Sequence, residues 1–254
     1  MLIITMAGAS SRFKQFGYTK PKFLLKFGND KIITHIIKSY NNFIKKNGAL
    51  FVYNSNDIDR KQLTNLILLS GCESKSFELL DLKKLTMGQA ETAAIAIETY
   101  KLFGPITIVN IDTLYSNWTG IDYAEKPLID GYLDVTTWSG NNWSFIKNNL
   151  TGRVFEIAEK SRISNLTSTG LYSFKSGKVF LDYQKSIEKE IGCNQYLGEY
   201  FVSAVYKKMI SDGLHIHSRE IDKKNLKLFG TPQEYQNSCS EIGKKFDKPN
   251  LIKI

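Results

Sequence analysis

Small residues at Ala7, Gly8, Ala9, Ser10 and Ser11 stand directly before Arg12, and Lys20-Pro21-Lys22 follows after a Gly17-Tyr18 pair. Small side chains let the backbone approach a polyphosphate closely, so that N–H groups and hydroxyls donate to it while Arg12 and Lys22 supply countercharge. The spacing is neither G-x-x-x-x-G-K-[ST] nor G-x-G-x-x-G. A small-residue turn after a first strand also occurs where nothing binds, so on these residues alone a phosphate cradle and an ordinary strand–helix junction stand level. Asp112 closes the apolar run Ile106-Thr-Ile-Val-Asn-Ile111. An Asp at the end of a parallel strand lies where α/β sheets bind ligands, and a hard cation such as Mg²⁺ favours a carboxylate there; the same Asp could instead cap the next turn.

Several of these groups share a resemblance. The Ala7–Arg12 turn joined to Pro21-Lys22 resembles the N-terminal signature of the sugar-nucleotide pyrophosphorylases, a nucleotidyltransferase family, and further motifs follow in family order along nearly the whole chain. They are Gly88-Gln89 at the head of an alanine-rich helix, Asp112 after its apolar strand, Glu159-Lys160, Ser168-Thr-Gly-Leu-Tyr-Ser-Phe174, and Gly230-Thr-Pro-Gln-Glu234. The resemblance implies that Arg12 and Lys22 contact the triphosphate and the leaving pyrophosphate. It further implies that Gln89 reads the nucleobase edge, with Gly88 permitting close backbone approach, and that Asp112 binds Mg²⁺. It places Glu159 on sugar hydroxyls, Lys160 on the sugar phosphate, and Thr169 and Gly170 along the sugar pocket. Taken without the family, Glu159-Lys160 is an ordinary surface pair and the alanine-rich helix a packing element. Glu199 is a further candidate for the acceptor pocket.

The implied reaction joins a nucleoside triphosphate to a sugar-1-phosphate or related phosphate monoester, giving a nucleoside-diphosphate sugar and pyrophosphate. Use of the product in a surface polysaccharide is an expectation from the family alone. One position departs. Many members carry a second metal-binding Asp two residues before the Gly-Thr turn, where this chain has Leu228. Either Asp112 and the phosphates hold one metal, or another acid such as Asp222 moves in, or catalysis is lost; the first is favoured, because one or two carboxylates plus water suffice for a phosphate-bridging cation.

The elements that must position these groups begin βαβαβ. Leu2–Met6 reads as a buried strand, and Ile33, Ile36, Ile37 and Tyr40 mark a helix stopped by Asn47-Gly48. Ala49–Tyr53 is a strand, Asp57–Leu69 a helix with Asp at its start, and Ser76–Leu80 a strand. The pattern predicts an α/β protein, three-layer α/β/α with a Rossmann-like mixed sheet, and the family implies its GT-A-like nucleotidyltransferase form. Farther on, Tyr132–Phe145 alternates apolar and polar and suggests a hairpin turned at Ser139–Asn142, with Trp138 and Trp143 as core or lid residues. Arg153–Glu159 and Ser168–Phe174 are strand-like, His215 and His217 alternate on a strand, and helices are expected over 176–189 and 199–210.

A chain of 254 residues with 42% hydrophobic and 23% charged content suits one globular domain, with a nucleotide-binding half over 1–115 and a sugar-phosphate half over 116–254. The net charge of +9 is scattered, with no nucleic-acid signature, and suits phosphate substrates. Cys72, Cys193 and Cys239 lack metal or disulfide spacing, and no signal segment or membrane span is evident, so a cytoplasmic protein is expected. No nucleic-acid or membrane partner is expected, and a homo-oligomer is left open. Two alternatives remain. A nucleotide-sugar-dependent glycosyltransferase would be expected to carry D-x-D where this chain has Asn110-Ile111-Asp112, and a non-catalytic nucleotide-binding module is suggested by Leu228.

Overall fold

A computed structural model describes residues 1–116, 118–191, 199–241, 243 and 247–249. The chain forms two compact units from interleaved segments: unit I is Met1–Thr5, Thr86–Val109 and Gly120–Lys223, and unit II is Met6–Leu85, Asn110–Thr119 and Lys224–Ile254.

In unit I the strand Leu166–Phe174 is the spine of a mixed sheet. It runs antiparallel to Ile106–Asn110 (Tyr172 opposite Ile108) and to Gly131–Thr137 (Thr167 opposite Thr136). It also pairs with Ser144–Asn148, Thr167 facing Phe145. The expected hairpin over 132–145 is therefore not formed. Its two strands lie on either side of Leu166–Phe174 and each pairs with it, because alternation marks a strand but does not choose its neighbour. Ser144–Asn148 continues outward to Val154–Glu159, and Gly131–Thr137 pairs in parallel with Ile216–Glu220. Leu2–Thr5 lies beside Ile106–Asn110.

Helices Gln89–Tyr100, Gly177–Ile191 and Val202–Ser211 complete the unit. The last begins three residues later than the pattern suggests, because Phe201 is extended and opens it. The core is aromatic: Phe174 and Tyr206 stack at 4.5 Å, both fully buried, and the Tyr206 hydroxyl lies within donating distance of the Ser173 (2.7 Å) and Tyr132 (2.8 Å) carbonyls. Asp134, 1% exposed, takes both fork nitrogens of Arg219 at 2.8 and 2.9 Å, so its buried charge is paired.

Unit II carries the parallel strands Ala49–Tyr53 and Phe77–Asp81 and the helices Ile32–Asn47 and Arg60–Leu69. Ile33, Ile36, Ile37, Tyr40 and Ile44 form the buried stripe of the first helix. Gly48, at φ 77°, ends it in the left-handed conformation that glycine adopts without strain. Asp59, not Asp57, caps the second helix and accepts from Gln62 N at 2.9 Å; the Asp57 N–H is instead held by Asn54 O in a turn. Thr113–Tyr115 pairs antiparallel with Leu226–Leu228, and Pro232–Ser240 forms the last helix. No helix among the described residues is long and apolar enough to cross a membrane.

His217 lies in the strand Ile216–Glu220 with its ring 5.8 Å from that of Tyr132. Burial lowers its pKa below 6.5, and Arg153, His215 and Lys126 act in the same direction. The unfolded chain therefore takes up this proton more readily than the folded one, and the site costs stability as pH falls below 6.5. His217→Gln is expected to flatten that acid limb, measured as urea midpoints across the window.

Candidate active site

Unit II gathers the phosphate-handling candidates. Ser10 sits at φ 51°, ψ 33°, a left-handed conformation that carries strain in a non-glycine residue, and opens the five-residue helix Ser11–Gln15. The six backbone N–H groups from Ala7 to Arg12 make no hydrogen bond to any described residue. Gly8 has no positive φ, and a Cβ built on it would meet nothing within 4 Å, so what the glycine preserves is open space over these amides. Ala7 is buried, Ala9 and Ser10 half-buried, and Gly8, Ser11 and Arg12 exposed. Phe13 anchors the turn, with its ring 5.4 Å from Tyr18 and 6.2 Å from Tyr235; the Tyr235 hydroxyl donates to Lys26 O at 2.6 Å.

Lys22 Nζ donates to Asp112 Oδ2 at 2.5 Å, with side chains 22% and 16% exposed. Asp112 itself lies just past the strand end at Asn110, in the turn that leads into Thr113–Tyr115. Its carbonyl accepts from Phe229 N at 2.7 Å, while Leu228 pairs with Thr113. Leu228 thus stands beside the acid's own strand, at the position the family motif assigns, and offers no oxygen ligand.

A carboxylate that sequence reading missed stands nearby. A Cβ on Gly230 would lie 3.1 Å from Glu234 Oε2 and 3.5 Å from Asp112 Oδ2, so the two acids border one space. Glu234 belongs to a capping box: its Oε2 accepts from Thr231 N at 2.8 Å and Thr231 Oγ1 accepts from Glu234 N at 3.2 Å. Burial raises the Glu234 pKa and Asp112 pushes it further up; the bonds to Thr231 and the charge of Arg12 pull it down. Arg12 and Asp112 therefore act on the same carboxylate. The Thr-Pro-x-Glu signal was present in the sequence, but it reads as a cap. The acid named as a substitute, Asp222, belongs to unit I.

Unit I holds the remaining candidates. Gln89 opens its helix after Gly88, and its Nε2 donates to Thr5 Oγ1 at 3.2 Å; the Thr5 hydroxyl donates onward to Val109 O at 3.0 Å. Gly88, at φ 139°, does permit a close approach, but that of protein: a Cβ would lie 2.4 Å from Tyr200 O and 2.8 Å from Tyr200 N. Glu159 accepts from Ser144 Oγ and, at 2.8 Å, from Ser203 Oγ. Lys160 is left-handed at φ 53°; its Nζ lies 4.4 Å from the Phe201 ring centre and 3.9 Å from Glu199 Oε2. Thr169 is buried and donates to Asp134 O at 3.0 Å. Gly170, at φ 86°, falls where the pairing with Gly131–Thr137 slips between Ser168 and Tyr172, a bulge that half-exposes it. Trp138 and Trp143 stack at 5.9 Å, both half-buried.

Unpaired amides, an Arg and a Lys–Asp pair on an α/β fold are groups able to hold an anion. The solved structure of a nucleoside-diphosphate-sugar pyrophosphorylase from Vibrio cholerae RC9 matches at a TM-score of 0.86 and 30% identity, over 94% of this chain and 100% of that one. The chain belongs to this family, the sugar-nucleotide pyrophosphorylases. Two more distant structures share the fold. The inositol-1-phosphate CTP transferase of T. maritima matches at TM-score 0.70 and 16% identity, with 95% of each chain covered. The CTP:phosphocholine cytidylyltransferase of Streptococcus pneumoniae matches at 0.70 and 14%, over 95% and 98%. No protein-family model and no curated protein matches the sequence.

Two substitutions probe the backbone of these sites. Ser10→Gly relieves the left-handed strain and is expected to raise unfolding free energy by about 0.5–1 kcal/mol. Gly88→Ala meets both an unsuitable φ and the Tyr200 backbone, and is expected to cost about 3 kcal/mol or more. Urea titration reads both.

Proposed function

We propose that the protein transfers a nucleotidyl group from a nucleoside triphosphate to a sugar-1-phosphate, releasing pyrophosphate. The observation that carries this reading is the run of six unbonded amides from Ala7 to Arg12 in the unit that also holds the Lys22–Asp112 pair. An oxygen of the acceptor phosphate attacks the α-phosphorus in line, and the bond from that phosphorus to the bridging oxygen of the β-phosphate breaks. Pyrophosphate leaves with the bonding electrons. Such transfer needs positioning and charge neutralisation more than proton movement.

Unit II takes the triphosphate. The Ala7–Arg12 amides donate to its oxygens, Arg12 and Lys22 spread countercharge over it, and Lys22 is held in place by Asp112. The donor set suits a hard divalent cation: Asp112 offers a carboxylate, and Glu234 borders the same space. Asp112 would hold Mg²⁺, which when bound supplies charge neutralisation at the phosphates. Lys160 places the acceptor phosphate, Glu159 accepts from sugar hydroxyls, Thr169 and Gly170 line the pocket, and Gln89 reads the base. The product is an activated sugar, the donor class for building a polysaccharide.

The test is thermal stabilisation by ATP, GTP, CTP, UTP and dTTP with and without Mg²⁺, followed by pyrophosphate release with a panel of sugar-1-phosphates. A nucleotide at 100 times its dissociation constant adds about 2.7 kcal/mol. One base is expected to stand out with Mg²⁺, and Asp112→Ala to lower turnover by about 100-fold or more. Stabilisation without pyrophosphate release from any acceptor would instead mark a binding module.

A further inference from the structure

Glu159 is half-buried, and its two carboxylate oxygens have unlike surroundings. Oε2 accepts from two hydroxyls, Ser144 Oγ and Ser203 Oγ, while no described residue donates to Oε1. The donors come from different elements. Ser144 opens the strand Ser144–Asn148, directly opposite Glu159 in the register, and Ser203 lies in the first turn of the helix Val202–Ser211. Both are almost fully buried, at 7% and 2% exposure. A third hydroxyl stands behind them: Tyr172 Oη is 3.4 Å from Ser144 Oγ. Burial first, and then the charge of Glu159, push the Tyr172 phenol up to about 12, so it stays a donor.

A carboxylate oxygen has about two lone-pair sites, so two donors saturate Oε2 and leave the acceptor capacity of Oε1 intact. Glu159 is only half-buried and Oε1 is not among the buried unsatisfied atoms, so it stays open to solvent or to a ligand while Oε2 is held from within. Two donors from a strand and a helix, converging on one oxygen, also fix the plane of the carboxylate, which a single hydrogen bond would leave free to rotate.

We propose that Ser144 and Ser203 are positioning residues: they hold Glu159 by Oε2 so that Oε1 accepts a hydroxyl of the acceptor, which makes the acceptor a sugar or polyol phosphate. The proposal rests on the nucleotidyl-transfer reading above and deepens it. Neither serine touches the substrate, and both act through Glu159.

Pyrophosphate release is measured at saturating triphosphate with the sugar-1-phosphate varied, and then the reverse, for wild type, Ser144→Ala, Ser203→Ala, Glu159→Gln and the Ser203→Ala/Glu159→Gln double variant. Melting of each variant is followed in parallel; should one alanine variant fail to fold, the other decides, since each leaves Glu159 one donor. Each single alanine is expected to raise KM for the sugar phosphate about fivefold, the worth of one hydrogen bond, with KM for the triphosphate unchanged. In the Glu159→Gln background Ser203→Ala is expected to add little, because the two share one interaction. The proposal is overturned if wild type works while the alanine variants keep the sugar-phosphate KM within about twofold. It is equally overturned if both KM values rise together, or if the Ser203 effect persists in full beside Glu159→Gln. Those results leave nucleotidyl transfer standing, whereas a wild type that releases pyrophosphate with no sugar or polyol phosphate sinks both.

Discussion

The ion pair between Lys22 and Asp112 is the interaction around which unit II is arranged. With the side chains 22% and 16% exposed, each charge is partly stripped of water and depends on the other. The surrounding structure fixes where this pair stands. Lys22 opens the short helical turn Lys22–Leu24 whose Phe23 is buried, and the Asp112 carbonyl is pinned by Phe229 N. The cluster of Phe13, Tyr18 and Tyr235 then sets the Ala7–Arg12 turn against the same chain segments that carry the capping box. Aromatic packing thus fixes the segment that carries Arg12 relative to the one that carries Glu234.

In unit I a carboxylate and a lysine stand next to each other in the chain with separate partners. The Glu159–Lys160 pair ends a strand, and the backbone turns left-handed at Lys160, whose N–H is caught by Trp143 O at 2.8 Å. Among the described residues four non-glycines have positive φ, and two of them, Ser10 and Lys160, are among the residues picked out for chemistry. Strain of this kind persists only where the surroundings over-determine it. At Lys160 the ring of Phe201 and the carboxylate of Glu199 do so, and at Ser10 the carbonyl takes both the Phe13 and Lys14 N–H groups.

Much of this was legible in the sequence, for physical reasons that also explain the gaps. The helix Ile32–Asn47 and the strands Ala49–Tyr53 and Ile106–Asn110 bury continuous or periodic apolar residues, and hydrophobic period is a local property. Strand partners are not local, and the supposed hairpin over 132–145 failed because Leu166–Phe174, distant in sequence, pairs with both its strands. The helix expected from Asp57 starts at Arg60 behind Asp59, because two acids precede the same apolar run and only the bond to Gln62 N marks the cap. At Gly88 the sequence marks a close approach without naming the group, and in the fold the Tyr200 backbone is what approaches. Ser144 and Ser203 carry no sequence signal at all. A serine acquires its role from the carboxylate that folding brings to it.

Leu228 shows how far a motif can be read before tertiary structure must take over. Its pairing with Thr113 sets it beside the chain segment that carries Asp112, and its side chain has no oxygen to offer. The carboxylate that does border Asp112 arrives from six residues farther along, because the capping box turns Glu234 back over Gly230. Its Oε2 is already engaged by Thr231 N, and burial disfavours its charged form. Burial and the nearby Asp112 both disfavour the charged form of Glu234, and any cation entering the space beside Gly230 would favour it.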